Sequence, residues 1–160
     1  MNRNSTIFLQ AVIALLGLGV LAFLVWEPLV EGRNAHATLF QIYFTDPFLA
    51  YVYAASISFF VALAQAFKLL GCIRRNEIFS ERSVKAMRTI KICGIVLGAM
   101  IVMAGLYIKL FHAAGDDPAG FLALCMVTTF GSAILATAAA VFEKLLQNAV
   151  DIKSENELTV

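Results

Sequence analysis

Few residues in this chain are of a type and spacing that could do chemistry. Lys109 and His112 stand three apart, a turn of chain from Asp116 and Asp117. That set reads as an anion, metal or pH-responsive site, because imidazole titrates near neutrality. The plainer reading, interfacial side chains closing a helix end, is preferred. His36 stands alone, and Cys72, Cys93 and Cys125 are scattered without a CxxC pair, so neither a zinc site nor dithiol chemistry is expected. No nucleophile, base and orienting acid fall into a triad pattern, and no HExxH or glycine-rich phosphate loop occurs. No catalytic residue, metal or cofactor is therefore expected, and an enzyme is not the reading.

The densest charge lies in CIRRNEIFSERSVKAMRTIK, residues 72–91. Arg74, Arg75, Arg82, Lys85 and Arg88 are the candidates there for contact with anionic lipid head groups, with the chain's own tail or with a protein partner. They read equally as residues that only set membrane topology.

The elements that must position these groups follow from composition. Of 160 residues, 61% are hydrophobic and 14% charged, well outside the soluble globular range. Four apolar runs, roughly 7–26, 48–71, 92–112 and 121–142, are each long enough to cross a hydrocarbon layer of about 30 Å as a helix. The fold class expected is all-α: one integral domain of four transmembrane helices, with a basic loop at 72–91 and an amphipathic helical tail at 143–160. Ten of the twelve Lys and Arg, all but Arg33 and Lys109, flank the N-terminus, the middle loop or the tail. The positive-inside rule then places both termini and that loop in the cytoplasm. The first run reads as an uncleaved anchor, since the small-x-small triplet at Ala35 to Ala37 lies too far beyond its end.

Small residues mark candidate packing faces: Ala50, Ala54, Ser58, Ala62 and Ala66 in the second run, Gly94 and Gly98 in the third, Ser132 and Ala136, with Ala140, in the fourth. Such stripes let helices approach closely in lipid; they suit a compact bundle, and the 50–66 stripe also suits a homodimer seam. The prolines fall outside the runs, and no acidic residue lies at mid-depth, only amides and hydroxyls such as Gln10, Gln65 and Ser132. A proton-coupled pump would lack its central carboxylate. Gly115 to Gly120 reads as a tight turn, making the last two runs an antiparallel hairpin. Ser80 is placed to cap a helix from Glu81 into the third run. In the tail, Phe142, Leu145, Leu146, Ala149 and Val150 form an apolar stripe, with Glu143, Lys144, Gln147, Asn148 and Asp151 opposite. Charge complementarity points the tail at the basic loop, with Glu155 or Glu157 in reach of an Arg or Lys there.

Two stretches carry a resemblance. IFSERSVKAMRTI (78–90) is similar to an F-S-x-x-x-V-K-x-x-R pattern, filled by Phe79, Ser80, Val84, Lys85 and Arg88. SENELTV (154–160) is similar to an E-N-D/E-L-T-V/I ending, filled by Glu155, Asn156, Glu157, Leu158, Thr159 and Val160. Both patterns resemble the bacterial domain-of-unknown-function family 2975. The resemblance implies a small four-span protein of the bacterial cytoplasmic (inner) membrane, of a kind often encoded beside small helix-turn-helix regulators, and it offers no catalytic residue. The function expected is that of a non-enzymatic accessory or regulatory protein. Its loop and tail would meet a partner such as a cytoplasmic transcription regulator, with the bilayer as its surroundings and no direct nucleic-acid binding. The alternative is a small dimeric transporter or channel.

Overall fold

A backbone in hydrocarbon finds no water for its N–H and C=O groups, so each apolar run satisfies them internally by coiling into a helix. The computed structural model describes residues 3–30, 38, 40, 47–111 and 117–158, apart from the side chains of Arg3, Glu27, Val30, Glu157 and Leu158. The order is α1 (Arg3–Val30), α2 (Pro47–Arg74), α3 (Glu81–Phe111) and α4 (Ala119–Leu158). All four are long and apolar enough to cross a membrane. His112, Asp116, Thr159, Val160 and most of the 27–47 connection with its apolar second half lie outside the described residues.

Extensive contact among the described residues is confined to consecutive pairs: α1 with α2, α2 with α3, α3 with α4. The α3–α4 hairpin is the tightest. A Cβ added to Gly94 would sit 3.2 Å from the Ala136 Cβ, one on Gly98 3.4 Å from the Ser132 Cβ, and one on Gly105 3.5 Å from the Cys125 Cβ. In each pair the two residue numbers add to 230, the signature of antiparallel helices in a fixed register. Lipid tails supply no hydrophobic drive between helices, so association depends on this close backbone approach. Buried positions are accordingly small, among them Ala104, Ala136 and Ala139, while large side chains such as Leu15, Leu110, Phe130 and Ile134 are exposed on the outer surface.

On α4 the fully buried positions among the described side chains run 132, 136, 139, 143 and 146. Their spacing alternates four and three, the contact stripe of a helix packed along its length against a neighbour. The stripe of small residues at constant spacing of four therefore leaves the seam after Ala136, which continues through Ala139 in place of Ala140. The tail's contact face differs from the sequence expectation for the same reason. Glu143 and Leu146 are buried, Ala149 and Val150 are half-buried, and Phe142 and Leu145 are exposed.

Proline shapes one helix end. α1 runs through Pro28, which lies buried in its last turn. Proline has no N–H, so the carbonyl four residues earlier, that of Leu24, loses its helical donor. The Tyr53 hydroxyl of α2 donates to that carbonyl at 3.0 Å. Tyr51 likewise donates to the Met100 carbonyl of α3 at 2.8 Å. At the same end Phe48 stacks on Tyr107 and meets Phe121 edge-on, centroids 6.5 and 5.9 Å apart, tying the starts of α2 and α4 to the end of α3.

Candidate functional site at the loop end

At about 1.5 Å per residue, α3 with 31 residues spans roughly 46 Å and α4 with 40 spans roughly 60 Å. Both exceed the hydrocarbon thickness. Residues 112–118 join them in the chain, and the surplus length of both lies toward the opposite end, beside the loop that joins α2 to α3.

That loop is built by two helix terminators. Asn76, at φ 57°, is the positive-φ residue other than glycine among the described residues. Its N–H reaches the Ile73 carbonyl at 3.2 Å, and the Glu77 N–H reaches the Cys72 carbonyl at 2.9 Å. This pair of bonds closes α2 in a Schellman motif, with asparagine tolerating the left-handed conformation that glycine usually supplies. Ser80 then stands at the cap position of α3. Its carbonyl accepts from the Ser83 and Val84 N–H groups at 3.0 and 3.3 Å, while its hydroxyl donates to the Glu77 carbonyl at 2.7 Å. Glu81 occupies the first turn, where a carboxylate suits the helix dipole, and pairs with Lys85 at 3.5 Å.

The overhanging parts of α3 and α4 are joined by a three-residue ion-pair cluster. The Arg88 Nε donates to Glu143 Oε1 at 2.8 Å, and the Lys91 Nζ lies 2.6 Å from Oε2. The Glu143 side chain is 11% exposed, against 56% for Arg88 and 30% for Lys91. Glu143 is 24 residues from the start of α4, about 36 Å along the axis, more than the thickness of the hydrocarbon. The Arg88 hydrogen bond first and the close Lys91 ammonium second hold its carboxyl below the usual carboxylate range, against the opposing effect of burial. The pairs continue the hairpin register, which also sets the buried Val84 opposite the buried Leu146. The start of α3 and the end of α4 thus continue the hairpin.

Two grooves flank Arg82 and Lys85, which line both. One, of about 550 Å³, is lined by Asn76, Glu77, Phe79, Ser80, Glu81 and, from the tail, Lys153. The Phe79 ring is half exposed there. The other, of about 600 Å³, lies between α1, α2 and the start of α3 and takes in Gln10, Gln65, Lys68, Arg74 and Arg75.

Of the sequence-derived candidates, the structure brings Arg74, Arg75, Ser80, Arg82 and Lys85 together around these grooves and ties Arg88 to the tail. Glu155 and Asn156 are exposed on the last turns of α4, and the side chains of Glu157 and Leu158 lie outside the described residues. Ala50 and Ala54 are exposed, and Ser58, Ala62 and Ala66 half-buried, along α2. Glu143, Lys91 and Asn76 escaped the sequence reading of the site. The alternating four-and-three spacing through Ser132, Ala136 and Ala139 was the signal that leads to Glu143. Among the described residues no group of His, Cys, Asp and Glu is disposed to hold a metal ion.

A family model described as protein of unknown function (DUF2975) matches residues 21–160. The chain belongs to this family. The match takes in the whole loop-end site apart from Gln10. A curated relative, the uncharacterized membrane protein YoaS of Bacillus subtilis (strain 168), is 40% identical over 161 residues that span the full length of both proteins. No solved structure matches. With four membrane-crossing helices, this member of the family is a multi-pass protein of the bacterial cytoplasmic membrane.

Proposed function

We propose that the protein is a non-enzymatic accessory or regulatory membrane protein, with both termini and the middle loop in the cytoplasm, whose joined loop and tail hold a protein partner. One observation carries this reading: Glu143 clamps the start of α3 to the far part of α4. Two helices so joined are a built surface rather than frayed ends. The groove beside it offers an anchor of the kind protein interfaces use, the half-exposed Phe79 rimmed by Arg82, Lys85 and Lys153. A small helix-turn-helix regulator with an acidic face is the partner this surface suits. The test is affinity capture of the full-length chain from native membranes, beside Phe79→Ala and a chain lacking residues 154–160. The proposal expects a regulator retained by the full chain and lost from both variants. Identical partner lists in all three refute it.

A further inference from the structure

The groove between α1, α2 and the start of α3 shares Arg82 and Lys85 with the partner-binding groove and adds residues that reading does not use. Five cations line it, Lys68, Arg74, Arg75, Arg82 and Lys85, against one carboxylate, Glu77. Lys85 is paired with Glu81. The other four form no ion pair among the described residues. Clustering four unpaired cations costs mutual repulsion, which a bound anion relieves.

The groove also extends below the level of these charges. Along α2 its lining reaches from Arg74 back to Gln65, nine residues or about 14 Å along the helix axis, the last six of them within the apolar run. Gln10, seven residues inside α1, joins it from the facing helix. Neither amide has a hydrogen-bond partner among the described residues. An amide within an apolar run without a partner is costly. Phe67 and Leu69 add apolar wall to the same groove. A soluble anion would match the cations but leave the amides and the apolar wall unused. A phospholipid matches all three layers: phosphate at the cations, ester and glycerol oxygens at the amides, acyl chain along the apolar wall. Glu77 favours a head group that also carries hydroxyl donors.

We propose that this groove binds one anionic phospholipid with a hydroxylated head group, its phosphate among Lys68, Arg74, Arg75 and Arg82 and its ester region at Gln10 and Gln65.

Native mass spectrometry of the full-length protein in mild detergent, titrated with phosphatidylglycerol or phosphatidylcholine, tests this. One phosphatidylglycerol adduct is expected to survive activation that strips phosphatidylcholine. Lys68→Gln with Arg82→Gln should weaken it about 30-fold, each surface cation being worth about fivefold. Gln65→Leu, which keeps every charge, should weaken it as well. Lys144→Gln, a cation exposed on α4 away from the groove, should leave it unchanged. Equal retention of the two lipids, an equal loss in Lys144→Gln, or no effect of Gln65→Leu overturns the proposal. Displacement of the lipid by excess inorganic phosphate overturns it in favour of a soluble anion. Helical content by circular dichroism checks each variant, and Gln65→Leu carries the test if the double substitution does not fold.

Discussion

Replacing Glu143 by glutamine keeps the side chain's shape and removes its charge, which isolates the ion-pair cluster. An exposed pair is worth about 0–1 kcal/mol, and removing one member of a fully buried pair costs about 3–5 kcal/mol. Glu143 is nearly enclosed, but Arg88 is more than half exposed and Lys91 about a third, so both cations can regain water when their partner goes. The expected cost is therefore intermediate, about 1–2 kcal/mol. It is also local, because the apolar seam from Cys125 to Ala139 is untouched. Hydrogen exchange in nanodiscs reads this out: amides of 143–156 should exchange roughly tenfold faster, since 1.4 kcal/mol is a factor of ten, while those of 121–139 keep their protection. Combined with Arg88→Gln or Lys91→Gln, the effects should fall short of additive, with coupling of about 1 kcal/mol in each cycle. Unchanged exchange over 143–156, or strict additivity in both cycles, would refute the clamp.

Further expectations follow from the same geometry. The Glu143 carboxyl is held below its unfolded value near 4.3, so its contribution is complete above that pH and vanishes as pH falls through the depressed native value; tail protection measured from pH 7 down to pH 5 should be flat. Gly94→Leu must force apart a contact already at 3.2 Å and should cost about 1–3 kcal/mol in SDS unfolding, whereas Gly131→Ala, with nothing within 4 Å, should be neutral or stabilising by up to about 1 kcal/mol. Tyr53→Phe should cost about 0.6–1.7 kcal/mol, and much less in a Pro28→Ala background, where the Leu24 carbonyl regains its helical donor; an equal cost in both backgrounds would refute the role given to that hydroxyl.

The four helices were legible because hydrocarbon leaves the backbone no alternative and because apolar runs of this length are rare for any other reason. Gly94, Gly98, Ser132 and Ala136 were legible as close-contact positions for a related reason, since only small side chains let helices approach in lipid. Glu143 was not. On the helix it lies about 100° from Phe142 and about 160° from Leu145, off the apolar stripe read from the tail, whereas carrying the face of Ser132 and Ala136 forward at about 3.6 residues per turn brings it into the seam. Nor was the lipid-facing groove, whose lining comes from positions as far apart as Gln10 and Thr89. That is a product of how α1, α2 and α3 meet, with no local signal in any of them. Asn76 fell between: its left-handed conformation suits its residue type, but nothing nearby announced that α2 ends there.

The uninterrupted length of α4 has a mechanical consequence. From Phe130, near the middle of its apolar part, to Leu158 is 28 residues, a rigid arm of about 42 Å. A change of about 10° in its tilt, small beside the range membrane helices adopt, sweeps the tip sideways by about 7 Å. At Glu143, about 20 Å from the same pivot, the sweep is only about 3 Å, within what two flexible cationic side chains can follow. Any given tilt of α4 thus displaces Leu158 about twice as far as Glu143.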